Sequence, residues 1–275
     1  MVKMISYVLI IVIFPAFGLA ENIEVSEESV TVVDFKIHKG FILFNIEIDG
    51  ESKKVLLDSG APSLILNEES EEANTVFSTV DGDILASQGE IDHVRIGNIK
   101  KTKVPFWSMD LSHMEHLLGI NIDGLLGVDL LESYDLLIDY ESLKLSFLST
   151  GKYETLRTNF RKVVSLPFVS HFDNLPVVEV NSNGEKLLMS FDTGAGISVV
   201  SKSKVKKHVS ELREIKLGKL RVLSLPIATS DMSQFVDING NQLDGILSVN
   251  ALNADRVLFS FKRKLIYLFW EKHIQ

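Results

Sequence analysis

The sequence predicts an all-β protein built from two similar halves, with few and short helices. Short apolar segments rich in Ile, Leu, Val and Phe are separated by turn residues, which indicates a β-barrel or a β-sandwich. The 275 residues are 45% hydrophobic and 24% charged, so each half could bury a core of its own. The clearest strands are expected at residues 41–48, 136–140, 143–148, 177–180, 257–261 and 265–269.

Helices are expected at only a few places. His113 and His116 stand three residues apart, a spacing that can place two metal ligands on one helix face. No third ligand follows, so we expect a solvated surface helix there and predict no metal site. The basic run 202–208 is expected to be a solvated face as well. The other helix candidates are 68–74, 202–212 and a turn or two at 128–133.

The chain contains an internal repeat around two aspartates. IDGESKKVLLDSGAPSLIL, starting at Ile48, resembles NSNGEKLLMSFDTGAGISVV, starting at Asn181. In each segment a Gly turn precedes an apolar strand that ends in Asp-Ser/Thr-Gly-Ala. One Asp-Thr-Gly is weak evidence, since it is more often an ordinary turn. Two copies in equivalent positions of a repeat are far more specific.

The repeat continues downstream with equal spacings. Two unrelated β domains with similar turns are the alternative, but they would not keep Pro105 and Pro226 in register. One interval differs, because the second copy lacks 13 residues between its aspartate and the following Gly. The equal spacings are Gly50 to Asp58 and Gly184 to Asp192 (8), Gly97 to Pro105 and Gly218 to Pro226 (8), and Gly97 to Asp123 and Gly218 to Asp244 (26).

Asp58 and Asp192 each end an apolar strand and are followed by a hydroxyl residue and Gly. The Gly permits a tight turn that brings backbone N–H groups to the carboxylate. If the halves pair about a pseudo-two-fold axis, the two carboxylates meet and share one proton, because two such close charges do not both ionise readily. One carboxylate can then accept a proton from water while the other donates to a carbonyl, which is general acid–base hydrolysis of a peptide bond.

These motifs make the chain resemble aspartic peptidases of the pepsin/retropepsin superfamily, and in particular bacterial retropepsin-like domains fused in tandem. The resemblance spans about residues 31–275 and includes a later hydrophobic-hydrophobic-Gly motif at 125–127. It implies two β-barrel lobes, 31–148 and 162–275, joined by a linker or crossing strand, with a peptide substrate in the cleft and no cofactor or metal. The residues implied are the catalytic pair Asp58 and Asp192, supported by Ser59, Gly60, Ala61, Thr193, Gly194 and Ala195.

By the same resemblance, the additional segment of the first copy is a flap that closes over substrate. Residues 79–90 place Asp81-Gly82 and Gln88-Gly89 around an apolar centre, as a mobile hairpin would. No tyrosine is present there, although pepsins carry one in the flap. The second copy lacks a flap, so the chain is expected to act as a monomer with one flap. The flap residues expected to bind substrate are Asp81, Gly82, Asp83, Ile84 and Leu85.

The second copy departs from the family pattern in two places. Ser248 replaces the expected Gly of the later motif, and Asn250 stands where the first copy has Asp129. These departures predict a strained second lobe. They also leave open a peptide-binding module on the same fold with weak or no catalysis. A third possibility is a self-processing envelope factor that cuts one dedicated partner.

The N-terminus has the layout of a cleavable secretory signal. Lys3 precedes an apolar run, and Gly18-Leu19-Ala20 offers small residues at the cleavage position. Residues 1–20 are therefore expected to be removed from a secreted or periplasmic protein. The alternative is an uncleaved anchor, the one case in which a membrane would be a partner, although the run is short for a span of about 20 residues. The net charge of −9 argues against nucleic acid, and the absence of cysteine excludes disulfides.

Overall fold

A computed structural model describes residues 31–68, 75–79, 82–149, 162–169, 172, 175–206, 209–237 and 239–271. Within these ranges nearly all regular structure is β-strand, which confirms the all-β prediction. The strands of the first half are β1 (Thr31–Asp34), β2 (Lys36–His38), β3 (Phe41–Ile48), β4 (Glu51–Leu57), β5 (Ile65–Asn67), β6 (Thr75–Thr79), β7 (Gly82–Ile96), β8 (Ile99–Met109), β9 (Gly124–Leu126), β10 (Asp135–Asp139) and β11 (Lys144–Leu148).

The second half is also composed of strands, with short helical turns. One α-helix, α1 (Ser112–Leu118), and 3-10 helices at Val128–Leu130 and Val249–Leu252 complete the elements considered below. The strands of the second half are β12 (Lys162–Val169), β13 (Val177–Ser182), β14 (Glu185–Asp192), β15 (Ser198–Ser201), β16 (Glu211–Leu212), β17 (Ile215–Leu217), β18 (Leu220–Val222), β19 (Leu225–Ser230), β20 (Gly245–Ser248), β21 (Arg256–Ser260) and β22 (Leu265–Trp270).

Both halves pair their strands in the same way. β3 and β4 form an antiparallel hairpin, as do β13 and β14. The hairpin turns Asp49-Gly50 and Asn183-Gly184 have positive φ at both residues, as a two-residue type I′ turn requires. β9 lies parallel to β4 and antiparallel to β5, and β20 lies in the same way between β14 and β15. The repeat seen in the sequence therefore corresponds to a repeat of strand pairings.

The two halves meet in a continuous sheet. β10 pairs antiparallel with β21, so that a sheet of order β1-β11-β10-β21-β22-β12 runs across both halves. Leu137 lies opposite Leu258, and these residues occupy equivalent positions in the two copies. The pseudo-two-fold axis therefore passes through this pair. One apolar core of buried residues extends from the first half into the second. A second cluster of buried residues lies in the first half and includes side chains of β3, β4 and α1.

Several predicted elements hold and one is wrong. The hairpins at 136–148 and 257–269, and the helical turn after residue 127, are present. No helix forms at 202–206 or 209–212. A turn follows Ser201 instead, with Lys204 N donating to the Ser201 carbonyl at 2.9 Å. Glu211 and Leu212 form β16 against β19, so tertiary pairing overrides the helical pattern.

Other expectations fall outside the residues that the structure describes. They are the signal at 1–20, most of the helix candidate 68–74, and the connecting segment from 150 to 161. Within the described ranges, no helix has both the length and the apolar character needed to cross a membrane.

Candidate active site

Asp58 and Asp192 lie at equivalent places in the two sheets. Asp192 is the last residue of β14 and pairs with Ser248 of β20. Asp58 follows β4 directly, and its N–H donates to the Leu126 carbonyl of β9 at 3.0 Å. Each aspartate therefore ends a strand whose parallel neighbour is the later hydrophobic motif of the same half. Both side chains are buried.

The two aspartate loops are joined by a reciprocal set of hydrogen bonds. Ser59 N donates to Thr193 Oγ1 at 2.9 Å, and Thr193 N donates to Ser59 Oγ at 3.0 Å. The hydroxyls then donate onward across the axis. Ser59 Oγ donates to the Phe191 carbonyl, and Thr193 Oγ1 donates to the Leu57 carbonyl, both at 2.9 Å. Four buried hydrogen bonds thus hold the loops in register.

Gly60 and Gly194 make the close approach of the two carboxyls possible. Gly60 N donates to Asp58 Oδ1 at 2.8 Å, and Gly194 N donates to Asp192 Oδ1 at 2.6 Å. A Cβ on Gly194 would lie 2.5 Å from the Asp58 Cγ, and one on Gly60 would collide with the Asp192 carboxyl. Each Gly therefore faces the opposite carboxyl, and any side chain there would separate the pair.

The environment of the pair disfavours charge on both carboxyls. Burial raises the pKa of Asp58 to about 6, although the Gly60 amide opposes this shift. Burial and the negative charge of Asp58 together raise the pKa of Asp192 well above its usual value. The geometry supports one shared proton over a range of pH, and the pair titrates as a unit. The second oxygen, Oδ2, of each carboxyl has no hydrogen-bond partner among the described protein atoms.

The loops behind the aspartates are supported differently in the two halves. Val128 N donates to the Ala61 carbonyl at 2.9 Å. A Cβ on Gly127 would collide with the backbone of Ala61 and Ser63, so glycine is needed there. In the second half, the Ser248 hydroxyl donates to the Ala195 carbonyl at 2.7 Å.

The strain expected at Ser248 is not found. Its φ and ψ are −61° and 129°, an ordinary extended conformation. Its N–H donates to Ser198 Oγ at 3.1 Å, so both its polar groups are bonded. Serine here therefore substitutes a side-chain hydrogen bond for a backbone one.

Sequence reasoning noticed Asp129 and Asn250 but did not foresee what they contact. Leu130 N donates to Asp129 Oδ1 at 2.7 Å, within the first half. Burial raises the pKa of Asp129 to about 7, and the Leu130 N–H and the Lys101 ammonium oppose this shift. Asn250 Nδ2 instead donates to the Gly40 carbonyl at 2.9 Å, across to the other half. The only signal in the sequence was the Asp/Asn difference itself.

The segment expected to be the flap forms a hairpin of β6 and β7. β6 pairs with the start of β7, with Thr79 opposite Gly82, so the connection is at 80–81, outside the described residues. Gln88 and Gly89 lie within β7 and pair with Trp107 and Phe106. Gly89 is required because a Cβ would collide with the Phe106 ring, not because the chain turns.

The predicted flap residues lie on different faces of this hairpin. Gly82 and Asp83 are exposed, and Asp81 lies outside the described residues. Ile84 packs against the apolar cluster that contains Ala61, beside the aspartates, whereas Leu85 is 58% exposed. A long hydrogen bond of 3.4 Å from Gln234 Nε2 to the Thr79 carbonyl connects the hairpin to the second half.

Among the described residues, the two histidines and the basic run considered in the sequence do not form a second functional site. His113 and His116 lie on α1, whose other face is buried through Met114 and Leu118. Among the described residues, no group of three or more His, Cys, Asp or Glu side chains could hold a metal ion. In the basic run, Lys204 forms an ion pair with Asp244 at 3.3 Å.

Comparison with known proteins finds a family match within the first half of the chain. Residues 44–130 match the family model described as aspartyl protease, a range that contains Asp58 and the 125–127 motif but not Asp192. None of the curated proteins compared with the chain matches it. This match supports an aspartic peptidase domain of the pepsin/retropepsin type over residues 44–130.

Proposed function

We propose that this protein is an aspartic endopeptidase that hydrolyses peptide bonds with water activated by Asp58 and Asp192. The observation that carries the proposal is the pair of buried carboxyls held face to face by the Ser59–Thr193 exchange. That exchange places the two aspartates symmetrically, each with one oxygen bonded to a glycine amide and one left for chemistry.

The chemistry follows from the sharing of one proton. The ionised carboxyl accepts a proton from water, whose oxygen attacks the peptide carbonyl carbon, while the protonated carboxyl donates to the carbonyl oxygen. The tetrahedral intermediate then collapses as the C–N bond breaks and the leaving nitrogen receives a proton. No covalent bond to the protein forms. The protein atoms suited to hold the water are the Oδ2 atoms of Asp58 and Asp192.

A binding module without catalysis gains no support from the second lobe. The departures that favoured it, Ser248 and Asn250, both form hydrogen bonds of normal length. Neither distorts the strand that ends at Asp192. A factor that cuts one dedicated partner would use the same chemistry and differs only in the breadth of its substrates.

The location and assembly of the protein are part of the proposal. One chain supplies both aspartates, so we propose a monomer with one flap on its first lobe. The apolar N-terminus supports export to the periplasm or the exterior through a cleaved signal at 1–20.

The decisive experiment is a peptide-library digest by purified mature protein across pH, beside D58N and D192N. Cleavage by the wild type that is lost in both variants, and blocked by pepstatin, would support the proposal. Peptide binding without cleavage would establish the binding module instead. Cleavage that survives either substitution would exclude the paired mechanism.

A further inference from the structure

Asn250 lies close behind the second aspartate. It belongs to the 3-10 helix Val249–Leu252, which directly follows β20. Ser248, two residues earlier, pairs with Asp192. The side chain of Asn250 does not stay within its own half, because its Nδ2 donates to the Gly40 carbonyl at 2.9 Å.

The acceptor belongs to a turn that is itself firmly held. Gly40 lies between β2 and β3 with φ of +90°. The same turn reaches the end of α1, where His38 Nε2 donates to the Leu118 carbonyl at 2.8 Å and Lys39 Nζ donates to the Leu117 carbonyl at 2.7 Å. The turn leads into β3, which pairs with β4, the strand that precedes Asp58. The Asn250–Gly40 hydrogen bond therefore connects the supports of the two aspartates.

The equivalent residue of the first half, Asp129, has the opposite role in its hydrogen bond. Asp129 uses a carboxyl oxygen to accept the Leu130 N–H. An ionised carboxylate has no proton to offer a carbonyl oxygen, whereas the amide Nδ2 of Asn250 does. Asn250 is thus a hydrogen-bond donor at the position where Asp129 is an acceptor.

We propose that Asn250 is a positioning residue, which sets the second lobe against the first by donating to the Gly40 carbonyl and so aligns Asp192 with Asp58. This inference rests on the proposed function for its effect on catalysis. The inter-lobe contact itself can be tested without catalysis.

The surroundings make the variant N250D informative. Asn250 lines a cavity of about 470 Å³ with Tyr140, Glu141, Asp255 and Glu271. His38 and Lys39 lie on the facing turn, and Arg256 is paired with Asp139 and Glu271. In these largely acidic surroundings, the carboxyl introduced by N250D is protonated in mild acid and ionised at higher pH. The protonated form donates to the Gly40 carbonyl, and the ionised form repels it.

The first measurement is the thermal unfolding of wild type, N250D and N250A between pH 4.5 and 8. N250A should unfold about 2–4 °C lower at every pH, as expected for loss of one hydrogen bond in a domain of this size. N250D should match the wild type in acid and fall below N250A at pH 8. The matched control is N253D, which adds the same charge to the same cavity on a residue three positions later.

The second measurement is kcat/KM for a cleaved peptide over the same pH range. The ratio of N250D to wild type should fall about tenfold from pH 5 to pH 8, while the N250A and N253D ratios stay level with pH. If N250D and N253D show the same dependence on pH, or if N250A unfolds at the wild-type temperature, then the hydrogen bond from Asn250 to Gly40 does not hold the lobes together. If the unfolding temperature of N250D changes with pH but the ratio of its kcat/KM to that of the wild type does not, then Asn250 does not position the aspartates. Absence of wild-type cleavage overturns the proposed function and leaves the unfolding test standing.

Discussion

The two lobes hold their aspartates alike but support the loops behind them by different means. At the axis, Ser59 and Thr193 exchange nearly equal hydrogen bonds. One step outward, the first lobe uses a backbone N–H to reach the Ala61 carbonyl, and the second uses the Ser248 hydroxyl. The lobes therefore share the hydrogen bonds at the axis and differ in the contacts behind each aspartate.

The lobes differ more on their outer sides. The first has the 15-residue strand β7 and its partner β6, whereas the described residues at the corresponding place in the second form the short strands β16 and β17. Asp110 and Asp231 begin the next segment alike, accepting the N–H of Ser112 and Ser233. The first lobe then forms α1, and the second forms a turn around Asp237.

The largest expected effect tests whether both lobes contribute equally to one site. D58N and D192N should each lower kcat/KM about a thousandfold, because each removes a group that transfers a proton. Single-turnover assays at the optimal pH would measure this. If one variant kept half of the activity, the lobes would hold independent sites.

The same variants test the buried charge. The pKa of Asp58 is raised to about 6 in the fold, so from about pH 4 to pH 6 the unfolded chain releases a proton that the folded protein keeps. Stability therefore falls as pH rises through this window. D58N should unfold with less dependence on pH there, which calorimetry at several pH values can measure. An unchanged pH dependence would contradict the raised pKa.

Substitutions of Gly127 and Ser248, which support the two aspartate loops, should lower the free energy of unfolding by different amounts. G127A adds a methyl group against backbone atoms and should reduce the free energy of unfolding by about 3 kcal/mol. S248A removes one hydroxyl hydrogen bond and should cost about 1 kcal/mol. Urea denaturation of the two variants gives the comparison. Equal losses would show that the two lobes are not supported differently.

The two faces of the flap should differ in their effect on substrate capture. I84A removes a side chain that packs beside the Ala61 cluster, and should raise KM roughly fivefold through loss of about 1 kcal/mol of apolar contact. L85A alters an exposed neighbour on the opposite face and should leave KM unchanged. Steady-state kinetics on one peptide, with thermal unfolding of both variants, makes the test. A larger effect of L85A would reverse the assignment of the faces.

The smallest expected effect concerns Ala61 and Ala195, the residues that follow Gly60 and Gly194. Burial raises the pKa of Asp58 to about 6, and Ala61 and Ala195 offer no side-chain hydroxyl to oppose this shift, so the acid limb of the pH–rate profile should be less acidic than in pepsins. A61S and A195T add a donor that favours the ionised form and should move this limb down by roughly one pH unit. An unmoved limb would show that these positions do not control the pair.

Much of the fold was predictable because its signals are local. The strand at Phe41–Ile48 and the turn at Asp49-Gly50 follow from side-chain alternation and from backbone preferences. Gly89, by contrast, lies within β7, where a Cβ would meet the Phe106 ring. Local patterns cannot distinguish a glycine that turns the chain from one that makes room for a neighbour.

The sequence by itself determined that Asp58 and Asp192 are equivalent, because two copies of one motif at equal spacings imply equivalent backbone positions. It also determined the all-β class. Only the tertiary structure decided that β10 pairs with β21, that Ser248 replaces a backbone donor, and that Asn250 reaches Gly40. The reason is physical: a side chain's role depends on the atom opposite it, and folding brings that atom from as far as 210 residues away.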